Sequence, residues 1–171
     1  MPARIVLRPP AAADASEFAA AAAASRALHR PWVVAPSTPE QFRAWRQRMA
    51  QPGNRALLVC RRDTGAIAGV YNLSNIVMGP LRSAFLGYYA FAGHERQGLM
   101  AQGLQAVLRH AFGPLKLHRL EANIQPGNAA SIALVRSCGF ALEGYSPRYL
   151  KIAGRWRDHE RWAIVADRRV S

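Results

Sequence analysis

The loop at residues 93–98 holds the residues best suited to bind a charged ligand. The apolar, aromatic run at residues 85–91 predicts a buried strand, and apolar residues at helical spacing from Leu99 onward predict a helix. A strand that enters a helix through a glycine-containing loop presents unpaired N–H groups at the positive end of the helix dipole, where phosphates bind. With Arg96 alongside, the loop predicts a phosphate or pyrophosphate site. An ordinary βα turn is the alternative interpretation.

Two known phosphate motifs are excluded by the spacing of the glycines. Gly98 and Gly103 do not fall in the G-x-G-x-x-G register of dinucleotide-binding loops. No Gly-Lys-Ser or Gly-Lys-Thr follows, so the loop is not a P-loop.

A second polar group opens a later helix. Asn128 is placed to cap this helix, and Ser131 lies one turn in on the same face. Parallel strands that separate at their ends would leave backbone groups free for an extended, amide-containing ligand. Helix capping by itself also accounts for Asn128.

These residues need a sheet and flanking helices to bring them together. Apolar alternation and turn residues predict strands at residues 5–7, 56–60, 67–73, 85–91, 120–124, 145–152 and 156–165. Helical spacing predicts helices at residues 14–28, 39–49, 99–109 and 128–137, and Thr38 is the predicted cap of the second of them. The order predicts one α+β domain over residues 1–171, with a mostly antiparallel sheet and a βαβα segment in its second half.

Composition limits the class of protein. Half of the 171 residues are hydrophobic, enough for one core, and the formal charge of +13 favours polyanionic partners. No nucleic-acid-binding signature accompanies the scattered arginines. The two cysteines show no metal-ligand spacing, so we expect no metal and a reducing, cytoplasmic location. No segment is long enough to predict a membrane span.

The order of motifs resembles a known superfamily. The phosphate loop with Gln97-Gly98-Leu99-Met100 is followed by Pro126-x-Asn128-x-x-Ser131, by Cys138-Gly139-Phe140 with Glu143-Gly144-Tyr145, and by Gly154-x-Trp156-Arg157-Asp158-His159. This series resembles the GNAT superfamily of acetyl-CoA-dependent N-acetyltransferases, and within it the ribosomal-protein-alanine acetyltransferases of the RimJ/RimL type. It covers nearly the whole chain, so a GNAT-like fold is implied, with two splayed parallel strands in the central sheet and flanking helices.

The resemblance implies a set of site residues for the co-substrate acetyl-CoA and for the acceptor. The implied cofactor-binding residues are Phe91, Ala92, Arg96, Gln97, Gly98, Leu99, Met100, Ala101, Asn128 and Ser131. The implied substrate-binding residues are Trp32, Tyr88 and Asp158. A core anchor is the alternative role for Trp32, and an ion pair with Arg157 or Arg161 is the alternative for Asp158.

The chain departs from the superfamily pattern at the phosphate loop and at the catalytic tyrosine. Glu95 and Met100 stand where the loop usually has Gln or Arg and Gly or Ala. Val135 stands where many members carry the tyrosine that reprotonates the CoA thiolate, so Tyr145, Tyr88 and Ser131 are the alternative proton donors.

The acceptor amine needs only mild deprotonation, because an α-amine has a pKa near 8. Glu121 is the first candidate base and Asn123 lies on the same strand face, while an ion pair of Glu121 with Arg119 is an equally valid interpretation. The candidate catalytic residues are therefore Glu121, Tyr145 and Asn123.

The predicted function is acetyl transfer to an α-amine by direct attack in a ternary complex, foremost to the N-terminal alanine of a ribosomal or other protein. Acetylation of a polyamine or antibiotic is an alternative, as is a non-catalytic CoA-binding module acting on the ribosome or RNA. The ribosome is included among the expected partners, no membrane partner is expected, and the oligomeric state, monomer or homodimer, is left open.

Overall fold

A computed structural model describes residues 2–169, and it contains a mixed seven-stranded sheet. The strands are β1 (Ile5–Arg8), β2 (Arg55–Arg61), β3 (Ile67–Val77), β4 (Ser83–Ala90), β5 (Arg119–Ile124), β6 (Ala141–Ile152) and β7 (Arg155–Val165). Their order in the sheet is β1-β2-β3-β4-β5-β7-β6. Every neighbouring pair is antiparallel except β4 and β5, which confirms the mostly antiparallel sheet predicted above.

Within residues 2–169, the α-helices that flank the sheet are α1 (Ala15–Ala24), α2 (Arg26–His29), α3 (Pro39–Met49), α4 (Leu99–Phe112) and α5 (Ala129–Ser137). α4 and α5 share one apolar cluster with inward residues of the sheet, while α1 and α3 share a second cluster with residues of β2, β3 and β4. The sheet therefore has a helical layer on each face, and α4 and α5 lie together on one of them.

Side-chain caps fix where two of the helices begin. Thr38 Oγ1 accepts a hydrogen bond of 3.1 Å from Gln41 N, with Pro39 at the first helical position of α3. Asn128 Oδ1 accepts one of 3.3 Å from Ser131 N at the start of α5. Both helix starts agree with the capping residues read from the sequence.

The helix predicted at residues 14–28 is interrupted at Ser25, between α1 and α2. The Ser25 hydroxyl donates to Ala21 O at 2.6 Å and accepts from Ala92 N at 2.8 Å. Ser25 is fully buried, so its side chain joins the helical layer to the chain that leaves β4. Among the strands, the largest differences in bounds are that β3 continues to Val77 and that β6 starts at Ala141.

The parallel strands β4 and β5 pair over a short stretch only. Ser83, Ala84 and Phe85 lie opposite Arg119, Leu120 and Glu121, and pairing stops there. Beyond Phe85, β4 continues with β3 on its other side, and β5 continues with β7. The two strands therefore separate toward their carboxyl ends and leave facing backbone edges unpaired, as predicted for the splayed pair.

No helix described between residues 2 and 169 is long and apolar enough to cross a membrane.

Candidate functional site

A cavity of about 1050 Å³ opens where β4 and β5 separate. It reaches from the start of α4 and the α5 face to the α2 segment and the β6–β7 hairpin. Of the residues predicted from sequence, ten line it: Trp32, Tyr88, Arg96, Gly98, Leu99, Met100, Ala101, Asn123, Asn128 and Ser131. The structure therefore brings together most of the predicted cofactor residues and part of the predicted acceptor site.

The loop before α4 is shaped to accept an anion. Arg96 and Gly98 both have left-handed backbone conformations, with φ of 57° and 74°. The N–H groups of Leu99, Met100 and Ala101 make no hydrogen bond within residues 2–169. A Cβ built on Gly98 would meet no atom within 4 Å, so the cavity reaches the backbone at that point. Free N–H groups, the helix dipole and the Arg96 cation together suit a pyrophosphate.

Glu95 is held at the start of the loop. Hydrogen bonds from the backbone N–H of Glu95 itself, and from those of Gly93 and His94, lower the pKa of the Glu95 carboxyl. The carboxylate therefore stays ionised at neutral pH and uses donors that precede α4. The donors at Leu99 and the residues after it remain for a ligand.

Gln97 supports the loop from behind and does not line the cavity. Its amide donates to Gly93 O at 2.9 Å, and its side-chain oxygen accepts from Arg61 at 2.8 Å. Arg4 also donates to Gln97 O at 2.9 Å. These contacts position the loop, so the structure gives Gln97 a bracing role in place of direct ligand contact.

The methionine at position 100 fits because of a glycine on the neighbouring strand. A Cβ at Gly69 would lie 2.4 Å from Met100 Sδ, so the thioether fills the space that a side chain there would need. Tyr71, fully buried, donates to Met100 O at 2.7 Å. Met100 thus anchors the first turn of α4 to the sheet.

The α5 side of the cavity carries a short hydrogen-bonded pair. Tyr88 Oη lies 2.5 Å from Ser131 Oγ and 3.2 Å from Ser131 O. Burial raises the pKa of Tyr88, so the phenol remains protonated and donates. When Tyr88 donates to Ser131, the serine hydroxyl proton is left for a ligand in the cavity.

At the opposite side, the end of β5 faces the α2 segment. Asn123 lines the cavity, and its Oδ1 is buried without a hydrogen-bond partner within the described chain. Gln125 reaches toward Trp32 O at 3.4 Å. The Trp32 ring also lies against Gly127, where a Cβ would be 3.2 Å from it. The unpaired Asn123 oxygen can accept a hydrogen bond from a ligand.

Like Gln97, the predicted residues Glu121, Tyr145 and Asp158 lie outside the cavity lining. Glu121 pairs with Arg119 at 3.3 Å, which is the alternative interpretation given above. Tyr145 donates to Asp158 Oδ2 at 2.5 Å, and Arg148 N donates to Asp158 Oδ1 at 2.8 Å. The carboxylate of Asp158 is thus engaged in holding the irregular stretch of the β6–β7 hairpin.

The N–H groups of Phe91 and Ala92 are not available to a pantetheine arm. Phe91 N donates to Ala68 O at 2.8 Å, and Ala92 N donates to Ser25 Oγ at the same distance. Neither residue lines the cavity, whereas Tyr88, Tyr89 and Ala90 do. The part of β4 next to the cavity therefore includes Tyr88, Tyr89 and Ala90, while a contact of Phe91 or Ala92 with the cofactor through other backbone atoms stays a prediction.

Sequence reasoning gave no role to three histidines that line the cavity, His29, His94 and His159. His29 and His159 are buried, and each bonds a backbone carbonyl, of Ala90 and of Arg157, at 2.8 Å. His94 has a buried Nδ1 without a partner within the described chain. The sequence did contain one signal for His159, because strand alternation places it on the same face of β7 as Arg161. Residues 2–169 contain no cluster of His, Cys, Asp or Glu arranged for a metal ion.

The arrangement fits acetyl-CoA. The free N–H groups with Arg96 suit its pyrophosphate, the unpaired edge of β4 suits the amides of its pantetheine arm, and the Ser131 hydroxyl suits its sulfur. The buried and unpaired Asn123 oxygen lies in the same cavity.

Comparison with known proteins agrees with this geometry. The chain is 39% identical over 103 residues to the [ribosomal protein uS5]-alanine N-acetyltransferase of Escherichia coli, a match covering 60% of this chain and 53% of that protein. The chain spans about half the length of the curated relatives it matches.

Two solved structures share the fold over nearly the whole chain. Mycobacterium smegmatis RimJ in complex with CoA-disulfide superposes with a TM-score of 0.90 at 26% identity, covering 98% of this chain and 84% of that one. Vibrio cholerae spermidine N-acetyltransferase, in complex with CoA and spermine, gives 0.82 at 20% identity, covering 97% and 98%. The second likeness is one of fold alone.

The sequence profile described as "Acetyltransferase (GNAT) domain" matches residues 4–141, which is most of the chain. With the separated parallel strands, the anion-binding loop and the cavity between them, this match identifies the chain as a member of the GNAT acetyltransferase family, whose acetyl donor is acetyl-CoA.

Proposed function

We propose that this protein transfers the acetyl group of acetyl-CoA to the α-amine of a protein or peptide N-terminus, with alanine as the first residue to test. The observation that carries the proposal is a single cavity that runs from the anion-binding loop, past the Tyr88–Ser131 pair, to the unpaired oxygen of Asn123. One end of the cavity carries Arg96 and free N–H groups for a cofactor, and the other end carries the Asn123 side-chain oxygen for an amine.

A small number of groups would bind acetyl-CoA at the cofactor end of the cavity. Arg96 and the N–H groups of Leu99, Met100 and Ala101 neutralise the pyrophosphate, while Asn128 holds the start of α5 in place. When bound, acetyl-CoA supplies an activated acyl group with a thiolate leaving group. Ser131 Oγ, supported by Tyr88, donates a hydrogen bond to that sulfur as negative charge develops on it.

The acceptor end favours a peptide α-amine over a polyamine. It is lined by Leu28, Trp32, Val33, Leu150 and Ile152 with Asn123. Glu95 is the one carboxylate among the lining residues that the structure describes, and it lies at the cofactor loop. A polyamine carries several ammonium groups and needs carboxylates to pair with them, whereas an amine next to a small apolar side chain does not.

The Escherichia coli relative, whose name gives alanine of ribosomal protein uS5 as its target, supports the same choice. The net charge of +13 suits a partner rich in phosphate, so we extend the proposal to acceptors presented on ribosomal particles in the cytoplasm.

Release of free CoA thiol from acetyl-CoA tests the proposal. Peptides beginning with alanine, spermidine and an aminoglycoside are offered as parallel acceptors. We expect turnover with the alanine peptide, and mass spectrometry should place the acetyl group on its α-amine. Turnover restricted to spermidine or the aminoglycoside would move the assignment to a small-molecule acetyltransferase. CoA binding by calorimetry without turnover of any acceptor would support a non-catalytic CoA-binding module.

A further inference from the structure

His159 is a buried histidine with one nitrogen fixed and the other free. The residue is 3% exposed, and its Nδ1 lies 2.8 Å from Arg157 O. A carbonyl oxygen only accepts hydrogen bonds, so Nδ1 carries the proton and Nε2 carries the lone pair. Nε2 makes no hydrogen bond within the part of the chain that the structure describes, and the side chain lines the cavity. The imidazole therefore has an unprotonated nitrogen, Nε2, that can accept a proton.

The strand register brings His159 to the acceptor end. Asn123 lies opposite Arg161 and Ile124 opposite Glu160, so His159 is one step further along β7, beyond the end of β5. Residues two apart on a strand share a face, so His159 is a diagonal neighbour of Asn123 at about 7–8 Å. An amine bonded to Asn123 Oδ1 therefore lies within reach of the His159 ring.

Charged groups around His159 are engaged elsewhere or lie at a distance. On β7, Asp158 accepts from Tyr145 and from Arg148 N, while Glu160 accepts from Trp162 Nε1 at 2.8 Å. The Arg161 guanidinium packs against Gly144 on β6, and Arg157 contacts the imidazole through its backbone carbonyl.

The remaining neighbours are aromatic or belong to other parts of the cavity. The Tyr149 ring lies 6.3 Å from the imidazole, and His29, His94, Glu95 and Arg96 line the same cavity from α2 and from the α4 loop. Among residues 2–169, no carboxylate is hydrogen-bonded to the imidazole. Nε2 therefore keeps a lone pair that can accept a proton from a ligand.

We propose that His159 Nε2 is the general base for the acceptor amine. This inference rests on the proposed function. The acceptor arrives as an ammonium and gives one proton to Nε2. The amine nitrogen then forms the C–N bond to the acetyl carbon as the C–S bond breaks, and the departing thiolate is protonated from solvent. The second amine proton leaves through water, and the imidazolium returns its own proton to solvent, so the enzyme ends as it began.

The variant His159→Asn tests this role while keeping the anchoring hydrogen bond. The asparagine amide nitrogen takes the place of Nδ1 and can still donate to Arg157 O, but no basic nitrogen remains. We expect kcat/KM for the acceptor at pH 7 to fall about a hundredfold, with the KM for acetyl-CoA unchanged. His110→Gln, on the far part of α4 and outside the cavity, is the matched control and should keep wild-type rates.

The pH profile separates a base from a structural side chain. The pH dependence of kcat/KM should differ between the wild type and His159→Asn, and in the variant it should follow the neutral fraction of the amine alone. The loss should also shrink for acceptors of lower amine pKa, which need less help with deprotonation. A uniform loss at every pH and for every amine would assign His159 to packing.

Three outcomes remain distinguishable. If wild-type protein acetylates no amine, the proposed function and this inference fall together. If the wild type is active and His159→Asn keeps its rate and its pH profile, this inference alone is overturned. If the variant does not fold, ¹⁵N NMR of the wild-type imidazoles decides, since a proton on Nε2 of His159 in place of Nδ1 overturns the assignment.

Discussion

Tyr88 Oη and Ser131 Oγ lie 2.5 Å apart, and this contact joins the end of β4 to the first turn of α5 across the cavity. Val135, at the position where many family members carry a tyrosine, is fully buried in the apolar cluster beneath α5. The phenol of Tyr88, contributed from the sheet, thus lies beside the helix that carries Val135 in place of that tyrosine. In the proposed function, this pair supplies the hydrogen-bond donor for the leaving thiolate.

Removing either hydroxyl of this pair should slow turnover more than it weakens cofactor binding. We expect Tyr88→Phe and Ser131→Ala each to lower kcat about tenfold or more, because the donor acts mainly on the charge that develops on sulfur. The KM for acetyl-CoA should change little. Steady-state kinetics of both single variants and the double variant measure this. If the increase in activation free energy of the double variant equals the sum of the two single increases, the two hydroxyls do not act together.

Gly98→Asp should abolish CoA binding while the protein stays folded. The backbone φ of 74° makes any side chain at position 98 cost about 1–2 kcal/mol. The aspartate carboxylate would also lie in the loop before α4 and repel a bound pyrophosphate. We expect calorimetry to show at least a tenfold loss of CoA affinity. Gly79→Asp is the matched control, since its φ is 71° and its Cβ would also meet no atom within 4 Å, but it does not line the cavity. Equal CoA affinity in both variants would refute the loop assignment.

Asn128→Ala should affect both stability and cofactor use. The lost cap bond to Ser131 N should cost about 1 kcal/mol of unfolding free energy, and the shifted α5 terminus should raise the KM for acetyl-CoA. Thr38→Ala removes the equivalent cap of α3 and provides the control. Thermal melts should show similar losses for both variants. An unchanged KM in Asn128→Ala would leave Asn128 a purely structural cap.

Replacing both cysteines with alanine should leave turnover within a small factor. Cys60 and Cys138 are buried and neither lines the cavity, and burial raises the pKa of the Cys60 thiol. No acetyl-cysteine is therefore expected, and initial-rate plots against both substrates should intersect. Parallel lines together with an acetylated protein in mass spectrometry would contradict direct transfer.

The ion pair of Arg8 with Asp14 should make stability depend on pH in the acid range. Arg8 donates to both Asp14 carboxylate oxygens at 2.7 and 2.8 Å, and Ala11 N donates at 2.7 Å. The hydrogen bonds from Arg8 are the main cause that lowers the pKa of Asp14 below its ordinary value. Because the pKa of Asp14 is lower in the folded state, its carboxylate stabilises the protein at pH values above the unfolded-state pKa. This stabilisation is lost as pH falls through the folded-state pKa.

Asp14→Asn should therefore lower the unfolding free energy by about 2 kcal/mol at neutral pH. The difference from wild type should persist down to about pH 4 and shrink below it. Urea titrations at a series of pH values measure this. Asp63→Asn, which breaks the exposed pair with Arg61, is the control and should change stability little. A difference in unfolding free energy between wild type and Asp14→Asn that grows as pH falls would contradict the assignment.

The elements of this fold could be predicted from sequence because their signals are local. Alternation of apolar residues marked the strands, and Thr38 and Asn128 marked helix starts that the structure confirms. The strand, loop and helix around Gly98 were predictable for the same reason, since they follow one another directly in the chain, and anion binding by the loop stays a prediction. The break at Ser25 was missed, because its cause is a hydrogen bond to Ala92, far away in sequence.

What the tertiary structure decided is which of these side chains meet. Alternation places Glu121, Asn123 and, on β7, His159 on particular strand faces, but it does not reveal where a neighbouring strand stops pairing. Because β4 leaves β5 after Phe85, Asn123 opens on the cavity while Glu121, still beside β4, pairs with Arg119. Because β7 continues past the end of β5, His159 reaches the same cavity. Strand divergence and register are properties of the whole sheet, so no segment of the sequence contains them by itself.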